Sequence, residues 1–123
     1  RYFNYIYVRM GAHTLIHKRT EDDIWKNLFE LPLVETEKDL SEEEFLACPQ
    51  FHALFAEGEV RMVRTLLRGG KHVLSHRVIY TNFYEVTLPD NSSSFSSYQR
   101  VAVEDLGRYA VPRLIHAFLE KYV

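Results

Sequence analysis

From Arg1 to Met10 the chain is dominated by Tyr, Phe, Ile and Val, and after Gly11-Ala12 a second stretch, His13 to Arg19, mixes apolar with polar residues. β-Branched and aromatic residues at that density fit a pleated, half-buried surface, and Gly-Ala fits a tight turn, so the segment predicts a two-stranded hairpin. Polar residues dominate from Thr20 to Asn27, a loop that holds the only tryptophan, Trp25. In the apolar run from Leu28 to Val34, Pro32 places a third strand at an edge or a strand end. Ser41 with Glu44 three residues later forms a capping box, after which Phe45, Leu46, Phe51, Leu54 and Phe55 give an apolar side to one or two helices broken at Cys48-Pro49. Downstream, Glu59 to Arg68 alternates as a strand, Gly69-Gly70 is expected to turn, and Lys71 to Leu88 is the partner strand, with Ser75 and His76 near its start. A Ser-rich loop, a short strand from Tyr98 to Val103 and a helical turn opened by Glu104-Asp105 lead to a last helix. There Leu114, Ile115, Phe118, Leu119 and Tyr122 share one face behind Pro112. The sum is an α+β fold, a mixed or antiparallel sheet flanked by helices, with no repeat and no interdomain linker.

A chain of 123 residues holds one core, so a single domain over 1–123 is expected. No apolar run approaches the length that spans a bilayer, and no membrane partner is expected. The start, Arg1-Tyr2-Phe3, has neither an initiator Met nor the order of a secretory signal, as expected of a segment of something longer. A single cysteine, Cys48, can form no internal disulfide, which favours a cytoplasmic setting.

Charge changes the picture more than composition does. The net charge of -2 argues against a nucleic-acid binder, yet the charges are segregated. Glu21 to Glu59 holds twelve acids against two lysines, whereas 1–20 and 60–84 together hold nine Lys/Arg and no acid. An acidic chain can present one basic face, although basic strands beside acidic helices would give the same pattern with no partner at all. Within the basic block, Lys71-His72-Val73-Leu74-Ser75-His76-Arg77 sets a Ser-His pair between apolar and cationic residues.

Four segments in order, His17-Lys18-Arg19, Ile24-Trp25-Lys26-Asn27-Leu28-Phe29-Glu30-Leu31-Pro32, His72 to Arg77, and Glu104-Asp105-Leu106 with Ala110-Val111-Pro112, resemble the C-terminal domain of the bacterial MutY adenine DNA glycosylases. That family carries an "IWGGLWEFP"-like segment, an "H-x-F-S/T-H" loop and an "L-x-x-Y-A-L-P" helix entry. The chain departs from it at Lys26-Asn27, at Phe29, and at Leu74, which offers less surface for a wedge than the usual Phe. The resemblance implies a Nudix-like fold and a noncatalytic task within base excision repair, the reading of 8-oxoguanine opposite a misincorporated adenine. It also implies duplex DNA containing that pair as partner, together with an N-terminal catalytic helix-hairpin-helix domain outside this segment. That domain would carry a 4Fe-4S cluster, which needs four cysteines; no cofactor is expected in residues 1–123. A monomer associated with the bacterial nucleoid is the corresponding expectation.

The lesion differs from guanine in gaining a carbonyl at position 8 and in turning N7 from an acceptor into an N–H donor. A hydroxyl accepts as well as donates, so Ser75 suits that edge where Lys or Arg does not, and the resemblance puts it on the lesion. His76 would donate to a phosphate or to the damaged base, and Leu74 would act as an apolar wedge. Lys71 and Arg77, flanking the motif, are the first choices for DNA backbone contacts among Arg61, Arg64, Arg68, Lys71 and Arg77; Lys18 and Arg19 follow. Without the resemblance, a Ser-His pair reads as an ordinary turn, Leu74 as core, and Trp25 as either a stacking platform or a core residue that locks its loop.

A Nudix hydrolase is the main alternative, and a protein-interaction module the other. The hydrolases group glutamates on one helix in a "G-x5-E-x7-R-E-x2-E-E-x-G" box to hold magnesium. Here no Gly or Arg lies between Lys26 and Gln50, and Glu42, Glu43 and Glu44 are consecutive, so they splay around a helix. The four-residue spacings His13/His17 and His72/His76 fall in expected strands or turns, where they do not converge on zinc. Ser75 lacks the G-x-S-x-G elbow of a serine hydrolase.

Overall fold

The computed structural model describes all 123 residues. In chain order it has β1 (Tyr2–Arg9), β2 (His13–Lys18), β3 (Phe29–Glu30), β4 (Leu33–Thr36), α1 (Glu42–Ala47), α2 (Pro49–His52), β5 (Met62–Leu74), β6 (Arg77–Thr87), β7 (Gln99–Ala102), a 3-10 helix (Val103–Arg108) and α3 (Arg113–Tyr122). A four-stranded sheet runs β4-β1-β6-β5, with β1 and β6 parallel, and a three-stranded sheet runs β3-β2-β7. Strand β1 explains the layering. Its odd side chains Phe3, Tyr5 and Tyr7 join one core with Phe83 and with Leu114, Ile115 and Phe118 of α3, where Phe83 and Phe118 stack at 4.0 Å. Its even side chains Ile6 and Val8 join a second core with Phe45 and Phe51, and Phe45 stacks on Tyr84 at 4.6 Å. Period-two alternation thus covers the sheet with α1 and α2 on one face and α3 on the other, in an α+β architecture.

The helical expectations hold. Ser41 and Glu44 form the reciprocal capping box, α1 stops at Cys48, and Pro49 opens α2. Three strand expectations change. Gly11, at φ +60°, makes the turn after β1, but only a Met10–His13 bridge forms before the strands diverge into different sheets, so they are not a hairpin of one sheet. The third strand is two, β3 and β4, because Pro32 interrupts the run and has no N–H for a ladder. The third change places the functional loop. Gly69-Gly70 is not a turn: β5 continues through it to Leu74, and the chain reverses at Ser75-His76.

The reason lies in a buried amide ladder across the sheet. Asn4 Nδ2 donates to the Val34 carbonyl at 3.0 Å, Asn82 Nδ2 to Asn4 Oδ1 at 2.9 Å, and the Gly69 N–H to Asn82 Oδ1 at 2.8 Å. A side chain satisfies the Gly69 donor where the strand register slips, and φ of +70° lets the backbone bulge there. At Gly70 a Cβ would stand 2.7 Å from Thr81 Oγ1, so the approach needs glycine. The diglycine is therefore a bulge that re-aims a long hairpin.

Candidate functional site

Strand β1 lies beside β6 only from Tyr80 onward, so Arg77–Ile79, paired with His72–Leu74, form a two-stranded arm that runs beyond it by roughly 10 Å. Ser75 and His76 are its tip. Both are exposed, and neither has a positive φ, so the turn closes without the left-handed backbone of types I′ and II′. Leu74 is half-buried and packs on the main core, while Val73, on the opposite face of the strand, is 71% exposed.

The loop between β2 and β3 braces this arm. Arg19, 6% exposed, donates through Nη1 to both Glu30 oxygens at 3.0 Å and through Nη2 to Asp23 at 2.8 Å, with its guanidinium over the Trp25 ring. Burial disfavours that charge, but the hydrogen bonds to Asp23 and the field of Glu30 outweigh it, and the guanidinium pKa is raised. In return the Arg19 hydrogen bonds hold the Asp23 carboxyl below its usual range, helped by the Trp25 N–H and by nearby Arg77. His17 Nε2 lies 3.1 Å from Glu30. Trp25 is core, edge-on to Phe3. Arg19 is accordingly not available to a DNA phosphate: its donors face two carboxylates inside the fold. Between loop and arm lies a cavity of ≈ 220 Å³ lined by Asp23, Ile24, Leu74, Ser75, His76 and Arg77.

The structure brings Leu74, Ser75, His76 and Arg77 together, with Lys71 farther down the arm. Of the basic block, Arg64 pairs with Glu85, Arg68 with Asp39 and the Tyr84 hydroxyl, and Arg61 donates to the Gly58 carbonyl. The Lys71 and Arg77 side chains have no hydrogen-bond or ion-pair partner within the chain. Lys18 is exposed over the Phe29 ring, on the smaller sheet. Sequence reasoning missed Ile24 as a cavity residue, although its place beside Trp25 in the motif was the available signal.

A NUDIX domain model matches residues 4–121. The chain belongs to the NUDIX domain family. Among curated proteins no sequence matches it. Solved structures share its fold. The C-terminal domain of mouse MUTYH, determined in complex with human PCNA, has a TM-score of 0.72 at 15% identity, over 98% of this chain and 86% of that one. A Nudix hydrolase from M. smegmatis, RenU, has a TM-score of 0.66 at 9% identity over 98% and 80%, and a MutT protein from Methanosarcina mazei Go1 has 0.61 at 18% over 98% and 90%.

Some NUDIX domains are hydrolases, so the fit of these side chains to a magnesium ion matters. Glu44 is engaged by Ser41 in the capping box, Glu42 and Glu43 are exposed in the same first turn, and no three His, Cys, Asp or Glu side chains converge as a ligand set. This donor set does not fit the ion. No helix is long and apolar enough to cross a membrane.

Proposed function

We propose that this NUDIX domain is the lesion-reading part of an adenine DNA glycosylase, binding duplex DNA in which 8-oxoguanine faces adenine and carrying no catalytic group itself. The observation that carries this reading is the outward Ser75-His76 turn at the end of the two-stranded arm, with the unpaired Arg77 beside it and the unpaired Lys71 at the arm's base. The Ser75 hydroxyl accepts from the N7–H that only the oxidised purine offers, and His76 donates to a phosphate or to the base. Arg77 and Lys71 supply sequence-independent attraction to the backbone. Leu74 forms the floor of the cavity. The excision of adenine, with its iron-sulfur cluster, belongs to a separate catalytic domain of the parent enzyme, which extrudes the base. Likeness to the MUTYH domain and the order of the sequence motifs support the assignment.

The test is equilibrium binding to two short duplexes, one with an 8-oxoguanine:adenine pair and one with guanine:adenine. The chain should prefer the oxidised duplex, and Ser75→Ala with His76→Ala should remove about tenfold of that preference, as expected for one or two lost base contacts. Equal affinity of the unmodified chain for both duplexes overturns the reading. Magnesium-dependent release of phosphate from nucleoside diphosphate derivatives would establish the hydrolase instead.

A further inference from the structure

Single exposed apolar side chains are ordinary on a protein surface, so what distinguishes Ile24 is how it is held and what it borders. Ile24 is 72% exposed, and it is held there. Asp23 before it is bound by Arg19 and accepts from the Trp25 N–H at 3.0 Å; Trp25 after it is buried against Phe3. The Lys26 N–H donates to the Asp23 carbonyl at 3.1 Å and the Leu28 N–H to that of Trp25 at 3.0 Å. A residue fixed between two anchored neighbours cannot fold its side chain inward, so the exposure belongs to the loop's geometry. Leu74, in the motif position where an apolar wedge is expected, is turned partly into the core instead.

We infer that Ile24 is a second recognition residue, forming the apolar wall of the Ser75 cavity and packing on the base and sugar of the nucleotide that Ser75 hydrogen-bonds. This deepens the function proposed above and rests on it. Three observations favour a nucleotide of duplex DNA. The cavity, at ≈ 220 Å³, falls below the roughly 300–1,000 Å³ that engulfs a free small molecule, and suits one face of a nucleotide held by its own strand. Arg77, in the same cavity, has a free guanidinium for an anion. Asp23, the one acid there, has its charge met by Arg19 and does not repel the strand.

Binding of the chain to the oxidised duplex over a range of salt concentrations tests this. Ile24→Ala should weaken binding about fivefold, the size of one partly buried aliphatic side chain, and Ile24→Leu should restore it. The slope of log affinity against log salt should stay constant, because no phosphate contact is removed. The melting temperature should also hold. Wild-type affinity in Ile24→Ala, while Ser75→Ala still loses lesion preference, overturns this inference and leaves the proposed function standing. No lesion preference in the unmodified chain overturns both.

Discussion

Two polar clusters border the same cavity, and they treat charge in opposite ways. In the loop cluster Arg19 and Glu30 are nearly sealed from water, paired at 3.0 Å through both carboxylate oxygens under the Trp25 ring. In the arm cluster Ser75, His76 and Arg77 are all exposed, and the guanidinium has no partner in the chain. Both arginines end or begin a strand next to a motif, and in the sequence they look alike. What separates them is the reach of a carboxylate: Glu30 lies across the β2–β3 ladder from His17, next to Arg19, whereas Arg77 faces Leu74 across the hairpin. The sealed cluster sets geometry, because it fixes Asp23 and so holds Ile24 at the cavity. The open cluster keeps its hydrogen-bonding capacity for something outside.

The sharpest way to break the contrast is to unpair the buried arginine. Glu30→Ala leaves the Arg19 guanidinium without its bidentate partner in a site 6% exposed, and should cost about 3–5 kcal/mol of folding stability, read by denaturant unfolding. Replacing both partners with apolar residues, Arg19→Met with Glu30→Leu, should recover most of that loss, since no buried charge is then left uncompensated. If Glu30→Ala proved as stable as the unmodified chain, the loop cluster would be no more structural than the arm tip.

A second break goes through the bulge. Gly70→Ala puts a Cβ 2.7 Å from Thr81 Oγ1, against a neighbouring strand that is buried, and should destabilise by about 1–3 kcal/mol as an overpacked site. Because the bulge aims the arm, lesion binding should fall as well, although no residue of the tip has changed. Unfolding and duplex titration of the same variant separate the two effects. Loss of stability with intact binding would mean that the aim of the arm does not depend on the bulge.

Much of this was legible in the chain. The capping box at Ser41, the break at Cys48-Pro49 and the stripe of α3 are local patterns, and local hydrogen bonds and one-sided burial are enough to form them. The motif order also located the exposed Ser75-His76 pair. What stayed hidden depends on partners distant in sequence. Gly69-Gly70 reads as a turn until Asn82, thirteen residues beyond Gly69, is seen to take its N–H. Arg19 reads as a basic strand end until Glu30 is seen folded against it. The split of β1 from β2 follows from the parallel pairing of β1 with β6, more than seventy residues away, which no local pattern records. Ile24 escaped notice because its exposure follows from Arg19 holding Asp23 and Phe3 holding Trp25, contacts that no local pattern records.

The smallest expected effect distinguishes the clusters by acid. The Asp23 carboxyl is held below its usual range first by the hydrogen bonds from Arg19, so its folded pKa lies beneath its unfolded value near about 3.9. Its contribution to stability is therefore complete above that value and is lost as pH falls toward the lower, folded one. Glu59, on another face, is pushed down to about 2, first by the Ser92 hydroxyl and then by Ser94 and the Ser93 N–H, and its contribution follows the same sign, being lost as pH falls from the ordinary glutamate value of about 4.3 toward about 2. Unfolding free energy measured between pH 5 and pH 2 should decline below about pH 4.5, by less at pH 4 than the Gly70→Ala loss. Asp23→Asn and Glu59→Gln should each flatten that decline. The arm tip carries no such carboxylate, so Ser75→Ala should leave the whole profile where it was. A profile moved by Ser75→Ala and not by Asp23→Asn would reverse the roles assigned to the two clusters.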